Sequence, residues 1–231
     1  MDEHTLRTGI VQAARSMGGL GISQGTSGNI SARCGDRMLI TCSATPYDQM
    51  RPEDLASMSL EGERGAWTGP MQPSTEWRFH RDILRGRPDA GAVVHTHAMH
   101  CTTLAILRRP IPAVHYMIAA FGGADVRCAP YATFGTAELA AHTLTALEGR
   151  NACLLANHGM VVVGADLAQA MWLAVELETI AKQYCLSLQL GAPHMLSDAE
   201  VADAAKSFAT YGLQQRDEAG QLYRDEVHKQ A

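Results

Sequence analysis

The chain has 231 residues, 46% of them apolar and 19% charged, with a formal net charge of -5. That is enough apolar material for one sizeable core, so one domain with a short terminal extension is expected. The arginines and lysines form no basic run, which excludes a nucleic-acid backbone as partner, and no segment approaches the roughly 18 apolar residues of a membrane span.

The cysteines Cys34, Cys42, Cys101, Cys128, Cys153 and Cys185 form no C-x-x-C pair, and most sit in apolar settings. That pattern fits a reducing cytosol, not a disulfide framework. The opening Asp2-Glu3-His4 is unlike a basic-then-apolar leader, so a cytoplasmic location is expected.

Residues 3–18 read as a helix with Leu6, Ile10, Ala13, Ala14 and Met17 on one stripe. Gln24-Gly25-Thr26-Ser27-Gly28-Asn29 follows. Glycines alternating with small polar residues can make an anion-binding concavity, but taken alone the stretch reads first as an ordinary polar turn. Strands at 29–32 and 38–41 flank the turn Arg33–Arg37, Thr41-Cys42-Ser43-Ala44 is a second hydroxyl-rich strand end, and 55–60 offers a further strand. Pro73-Ser74-Thr75-Glu76 opens a helix to about Arg87, with Glu76 about one residue inside it. Ser74 and Thr75 there read first as a cap, the common case, with an anion site as the alternative.

Ala92-Val93-Val94-His95-Thr96-His97 is a strand, and period-two alternation puts His95 and His97 on one face. H-x-H alone is as compatible with a solvated loop or a core histidine as with a metal site. A helix at 99–107 carries His100, which reads as structural or as an orienting partner. Residues 114–123 form an apolar, mobile-looking link containing His115 and Tyr116. A short strand (126–129), a helix (136–147), and strands at 152–156 and 160–163 around Asn157-His158-Gly159 come next. A long helix spans 166–190 and a capping box at Ser197–Glu200 opens a last one to about Thr210. Near-adjacent strands predict an antiparallel or mixed sheet.

His95, His97 and His158 thus stand at strand ends, with Glu76 as a fourth ligand or a base. Three nitrogen ligands and an open position are what a catalytic zinc requires. Separate phosphate-friendly loops add a phosphorylated small molecule as the natural substrate. The only lysines, Lys182, Lys206 and Lys229, fall in late helices or the tail, which argues against Schiff-base chemistry.

These motifs, together with Trp77-Arg78-Phe79-His80, the phrase Ile111–Ala120 and the phrase Ala129–Thr136, resemble the class II aldolase/adducin family over residues 5–212. The resemblance implies an α/β fold, a three-layer α/β/α arrangement around a mostly antiparallel sheet. It implies a catalytic domain over residues 1–212, which leaves 213–231 as a charged, mobile tail. It implies a zinc-dependent aldolase that cleaves a ketose 1-phosphate to dihydroxyacetone phosphate and an aldehyde. L-fuculose 1-phosphate and related 5-deoxy or 5-methylthio ketose 1-phosphates are the implied substrates.

One Zn2+ per subunit is implied on His95, His97 and His158, with Glu76 as resting-state ligand and acid/base. Phosphate is implied on Thr26, Ser27, Gly28, Asn29, Ser43, Ala44, Ser74 and Thr75. The family's aldolases are homotetramers with sites at subunit interfaces, which implies that Tyr116 comes from a neighbour and Tyr211 closes the site. One departure is that Ala44 stands where the family has glycine. If the position needs positive φ, alanine costs of order 1 kcal/mol; the expectation is instead a slightly different turn. The alternatives in the same superfamily are a pentulose-5-phosphate 4-epimerase and a sugar-phosphate dehydratase or decarboxylase. A non-catalytic adducin-like interaction domain should lose the ligands that this chain keeps.

Overall fold

The computed structural model describes residues 2–61, 65–208, 214–216 and 222–224. Helix α1 (Glu3–Gly19) is capped by Asp2, whose side chain accepts from Thr5 N, and it buries Ile10, Val11, Ala14 and Met17. Seven strands follow: β1 (Asn29–Cys34), β2 (Arg37–Ile40), β3 (Ala56–Ser59), β4 (Ala92–Thr96), β5 (Arg127–Ala129), β6 (Ala152–Leu155) and β7 (Gly159–Gly164). Between and after them lie α2 (Trp77–Gly86), α3 (Met99–Ile106), α4 (Ala137–Ala146), α5 (Leu167–Leu190) and α6 (Asp198–Phe208).

The strands form one open sheet in the order β3-β2-β1-β4-β7-β6-β5. Every pairing in it is antiparallel except β5 with β6. Alternation along the strands divides the core in two. Ile30, Ala32, Val94, Leu154 and Val162 pack with residues of α1, α3 and α5 on one face. Val93, Val161, Val163 and Leu155 pack with Phe79, Ile83 and Leu84 of α2 and Leu139 and Ala140 of α4 on the other. The three-layer α/β/α expectation is thereby met. Burial of each Val, Leu, Ile or Phe side chain among them contributes about 1.5–3 kcal/mol, and central β4 is buried along its whole length.

Two local expectations are corrected. The link at 114–123 is a 3-10 helix over Tyr116–Phe121, with Ile118 and Phe121 fully buried; its apolar residues dock on the core. Glu76 is the N-cap of α2 and does not lie inside it, because its φ of -95° and ψ of 10° are not helical. The Ser197–Glu200 box forms as expected: Ser197 N donates to Glu200 Oε2 over 2.7 Å and Glu200 N donates to Ser197 Oγ over 3.3 Å. In the tail, residues 214–216 pair antiparallel with 222–224. Among the described residues no helix is long and apolar enough to cross a membrane.

Candidate metal centre and active site

The site grows out of strand parity. Asn29 of β1 lies directly opposite His95 of β4. Ile30 and Val94 face α1, α3 and α5, so Asn29, Ser31, Val93 and His95 face α2. His97 follows just beyond the end of β4, and His158 stands in the tight β6–β7 connection. Asn157 takes the left-handed conformation there, with φ 54°, as a short polar side chain at a turn can. Gly159 must be glycine for space: a Cβ would lie 2.4 Å from Thr96 O. Gly28 likewise lets the loop before β1 approach His95 O, which a Cβ would meet at 2.8 Å.

The four candidate side chains converge. His95 Nε2 lies 3.2 Å from His97 Nε2 and 3.2 Å from Glu76 Oε2, and His158 Nε2 lies 3.3 Å from Glu76 Oε1. One nitrogen from each histidine falls within 4.8 Å of the others. His95 Nδ1 donates to Met160 O over 2.8 Å. That bond fixes the tautomer and leaves Nε2 bare, the arrangement a metal-ligating histidine needs. Phe79 holds the His95 ring edge-on, with centroids 5.5 Å apart. Glu76 Oε1 is buried and accepts no hydrogen bond, so a cation is the partner that would satisfy it. Three imidazoles and one carboxylate fit a borderline-soft divalent ion.

Charge follows the same geometry. Burial opposes ionisation of Glu76, but His95, His158 and the Asn29 amide outweigh it and hold the carboxyl well below its usual range. Burial opposes charge on His95 too, yet the Glu76 carboxylate pushes this imidazole above its ordinary value. Burial, and then His95, hold His97 and His158 down at about 4.

Three loops meet beside these groups. Tyr47 Oη donates to Gly28 O, and Thr41 N donates to Ile30 O over 3.0 Å, which ties the 24–29 loop to 41–47. Ser43 N donates to Gln72 O over 3.1 Å and Ser74 N to Thr41 O over 2.9 Å, which ties 41–45 to 72–76. Thr26 and Ser27 are exposed while Gly28 is buried. Ala44 does take a left-handed backbone, with φ 52°. Of the two expectations for this position, the structure shows the left-handed one, so alanine bears the strain.

The family profile described as the class II aldolase and adducin N-terminal domain matches residues 8–185. The chain belongs to the class II aldolase and adducin family. A Rhodospirillum rubrum protein named 5-methylthioribulose-1-phosphate/5-deoxyribulose-1-phosphate aldolase is 53% identical over 207 residues, which cover 90% of this chain and 92% of that one. An Escherichia coli L-fuculose phosphate aldolase is 46% identical over 214 residues, covering 92% and 98% of the two chains. A solved structure of an L-fuculose 1-phosphate aldolase superposes with a TM-score of 0.85 at 36% identity, covering 89% of this chain and 96% of that one. With such relatives this family member is an enzyme of the aldolase class.

Not every residue expected at the class II aldolase site joins the cluster. The Asn29 side chain is engaged at both ends, its Nδ2 donating to Glu76 Oε2 over 2.9 Å and its Oδ1 facing His80 Nε2. Ser74 Oγ accepts from Glu76 N over 3.3 Å, while Thr75 is exposed. Tyr116 is 53% exposed, and its ring contacts are His115 and Phe208. Tyr211 lies outside the described residues. His100 pairs with Glu178 at 2.7 Å, whose carboxylate also accepts from the backbone N–H groups of His100 and Cys101. It thus anchors the start of α3 to α5. His80, to which the sequence assigns no role beyond the phrase Trp77–His80, is fully buried behind Asn29. Its spacing of four from Glu76 was the available signal.

Proposed function

We propose that this chain is a zinc-dependent aldolase cleaving a ketose 1-phosphate to dihydroxyacetone phosphate and an aldehyde. The substrate class comprises L-fuculose 1-phosphate and 5-deoxy or 5-methylthio pentulose 1-phosphates, in keeping with the substrates that its relatives' names carry. The convergence of Glu76 with His95, His97 and His158 carries the reading. Those four residues would hold the ion, one per subunit, and zinc is the metal that three histidines and a carboxylate suit. When bound, it supplies Lewis-acid stabilisation of the negative charge that bond cleavage sends into the substrate carbonyl.

The chain's own residues do the rest. The 24–29, 41–45 and 72–76 loops hold the phosphate through Thr26, Ser27, Gly28, Asn29, Ser43, Ala44, Ser74 and Thr75. Backbone N–H groups there and at the start of α2 favour an anion. The C4 hydroxyl proton leaves as the C3–C4 bond breaks and the aldehyde forms. Tyr116, exposed in one subunit, handles that proton in a neighbouring one, in keeping with the homotetramer with interface sites that the resemblance implies. Glu76, once it has taken up a proton from solvent, delivers it to C3. Tyr211, as the resemblance implies, helps to close the site. No lysine is needed, and the described ones are remote: Lys182 lies on α5 and Lys206 pairs with Asp203 on α6.

The test is condensation by the zinc-loaded protein. Dihydroxyacetone phosphate is offered with L-lactaldehyde, glycolaldehyde, acetaldehyde or methylthioacetaldehyde. A ketose 1-phosphate formed from at least one aldehyde supports the proposal. No condensation with any of them, or interconversion of pentulose 5-phosphates without free dihydroxyacetone phosphate, overturns it.

A further inference from the structure

Behind Glu76 runs a line of buried polar groups on the α2 face of the sheet. Ser31 Oγ lies 2.8 Å from His80 Nδ1, His80 Nε2 faces Asn29 Oδ1, and Asn29 Nδ2 lies 2.9 Å from Glu76 Oε2. Ser31 and His80 are fully buried, and Asn29 and Glu76 are each only 5% exposed. None of these groups can turn to water for a partner, so their hydrogen bonds are obligatory.

The line has one polarity. A carboxylate only accepts, so Asn29 presents its NH2 to Glu76. Its carbonyl then faces His80 and also only accepts, so His80 carries its proton on Nε2. Nδ1 is left bare, and the Ser31 hydroxyl donates to it. The ring itself is clamped by stacking on Phe79, with centroids 4.6 Å apart.

We propose that His80, backed by Ser31, is a positioning residue for catalysis: it locks the Asn29 amide in the one orientation that holds the Glu76 carboxylate aimed at the reacting carbon. This rests on the aldolase reading for the step Glu76 performs, but not for the geometry. His80 touches neither the metal ligands' nitrogens nor substrate; it acts through Asn29. Loss of an orienting partner of this kind lowers activity about 10–100-fold.

Two variants separate positioning from bulk. His80→Phe keeps the ring and its stack but loses the donor. His80→Gln keeps an N–H near the Nε2 position. The readout is exchange of the C3 proton of dihydroxyacetone phosphate with solvent, with kcat and KM separated and bound zinc measured alongside. His80→Phe is expected to lose about 10–100-fold in kcat with KM and zinc content unchanged, and His80→Gln to recover most of it. Equal loss in the two variants, or full activity in His80→Phe, overturns the proposal. An independent arm uses wild-type protein labelled with 15N-histidine. An Nε2-protonated tautomer at His80 supports the line as drawn, and an Nδ1-protonated one overturns it. Should the wild type exchange no proton at all, the aldolase reading fails while the tautomer still decides the role of His80.

Discussion

The tightest contact in the site belongs to Gly159, and adding one methyl group there tests how closely β7 must approach β4. The glycine is not among the positive-φ residues, so alanine meets no backbone penalty. The obstacle is space alone. The new Cβ would sit 2.4 Å from Thr96 O and 2.9 Å from His97 Cδ2. The first distance is roughly 1 Å short of ordinary contact, and the atom it meets is the backbone of the buried central strand. Relief comes by moving the β6–β7 connection outward, and His158 and its contact with Glu76 move with it. Overpacking of this kind destabilises by about 1–3 kcal/mol. A displacement near 1 Å at a catalytic group lowers turnover by about 100-fold.

Gly159→Ala is therefore expected to bind zinc at least about tenfold more weakly and to lose about 100-fold in cleavage. Competition with a chromophoric chelator reads the first effect and release of dihydroxyacetone phosphate the second. Gly28→Ala, facing His95 O at 2.8 Å, should be milder, and Gly86→Ala, with nothing within 4 Å, should be neutral. Wild-type zinc affinity and turnover in Gly159→Ala would refute the reasoning.

Glu76→Gln should fold and keep its three histidines together yet lose exchange of the C3 proton of dihydroxyacetone phosphate; exchange at the wild-type rate contradicts an acid/base role. Ala44→Gly removes a left-handed alanine whose strain is about 1–2 kcal/mol but also loosens the unfolded chain by about 0.4–1 kcal/mol. A small gain in urea midpoint is expected, and a clear drop would contradict the strained turn. Acid sensitivity follows from the histidines. Burial holds His80 at about 3 and holds His97 and His158 at about 4, each below the ordinary 6.5. As pH falls below 6.5 the unfolded chain takes up these protons first. Their contribution to stability is thus complete above 6.5 and is lost progressively towards 4. In metal-free protein, His80→Phe should flatten the fall between pH 6 and 4 by about one proton, or about 1.4 kcal/mol per pH unit. An unchanged slope in equilibrium denaturation contradicts a neutral, buried His80.

Much of this arrangement was readable in advance, for reasons that differ by residue. The β-branched run before His95 and the apolar run before Asn157 are bounded by turn residues, so β4, β6 and β7 announced themselves. The ranges expected for α4 and α5 agree with the structure, where Thr136 and Asp166 cap them, each accepting a backbone N–H of the first turn. The 3-10 helix at 116–121 was less legible, since short helices of that type have no periodic signature and tertiary docking of Ile118 and Phe121 decides the conformation. Glu76 was misplaced by one position because Ser74 and Thr75 are themselves good caps, and only the φ and ψ of Glu76 tell them apart. Parity alone put His95 and His97 together, but the pairing of Asn29 with His95 depends on the β1–β4 register, which no local pattern encodes. That register is also why the sequence gives no sign of His80 standing behind Asn29.

On the proposed function, one divalent ion on His95, His97, His158 and Glu76 is required for splitting the sugar-phosphate chain. Protein stripped by exhaustive dialysis against chelator is titrated with zinc while release of dihydroxyacetone phosphate is followed. No turnover is expected without metal, and a rise that saturates at one zinc per chain in the wild type, with no recovery in His97→Ala. Undiminished turnover of the stripped protein would contradict it.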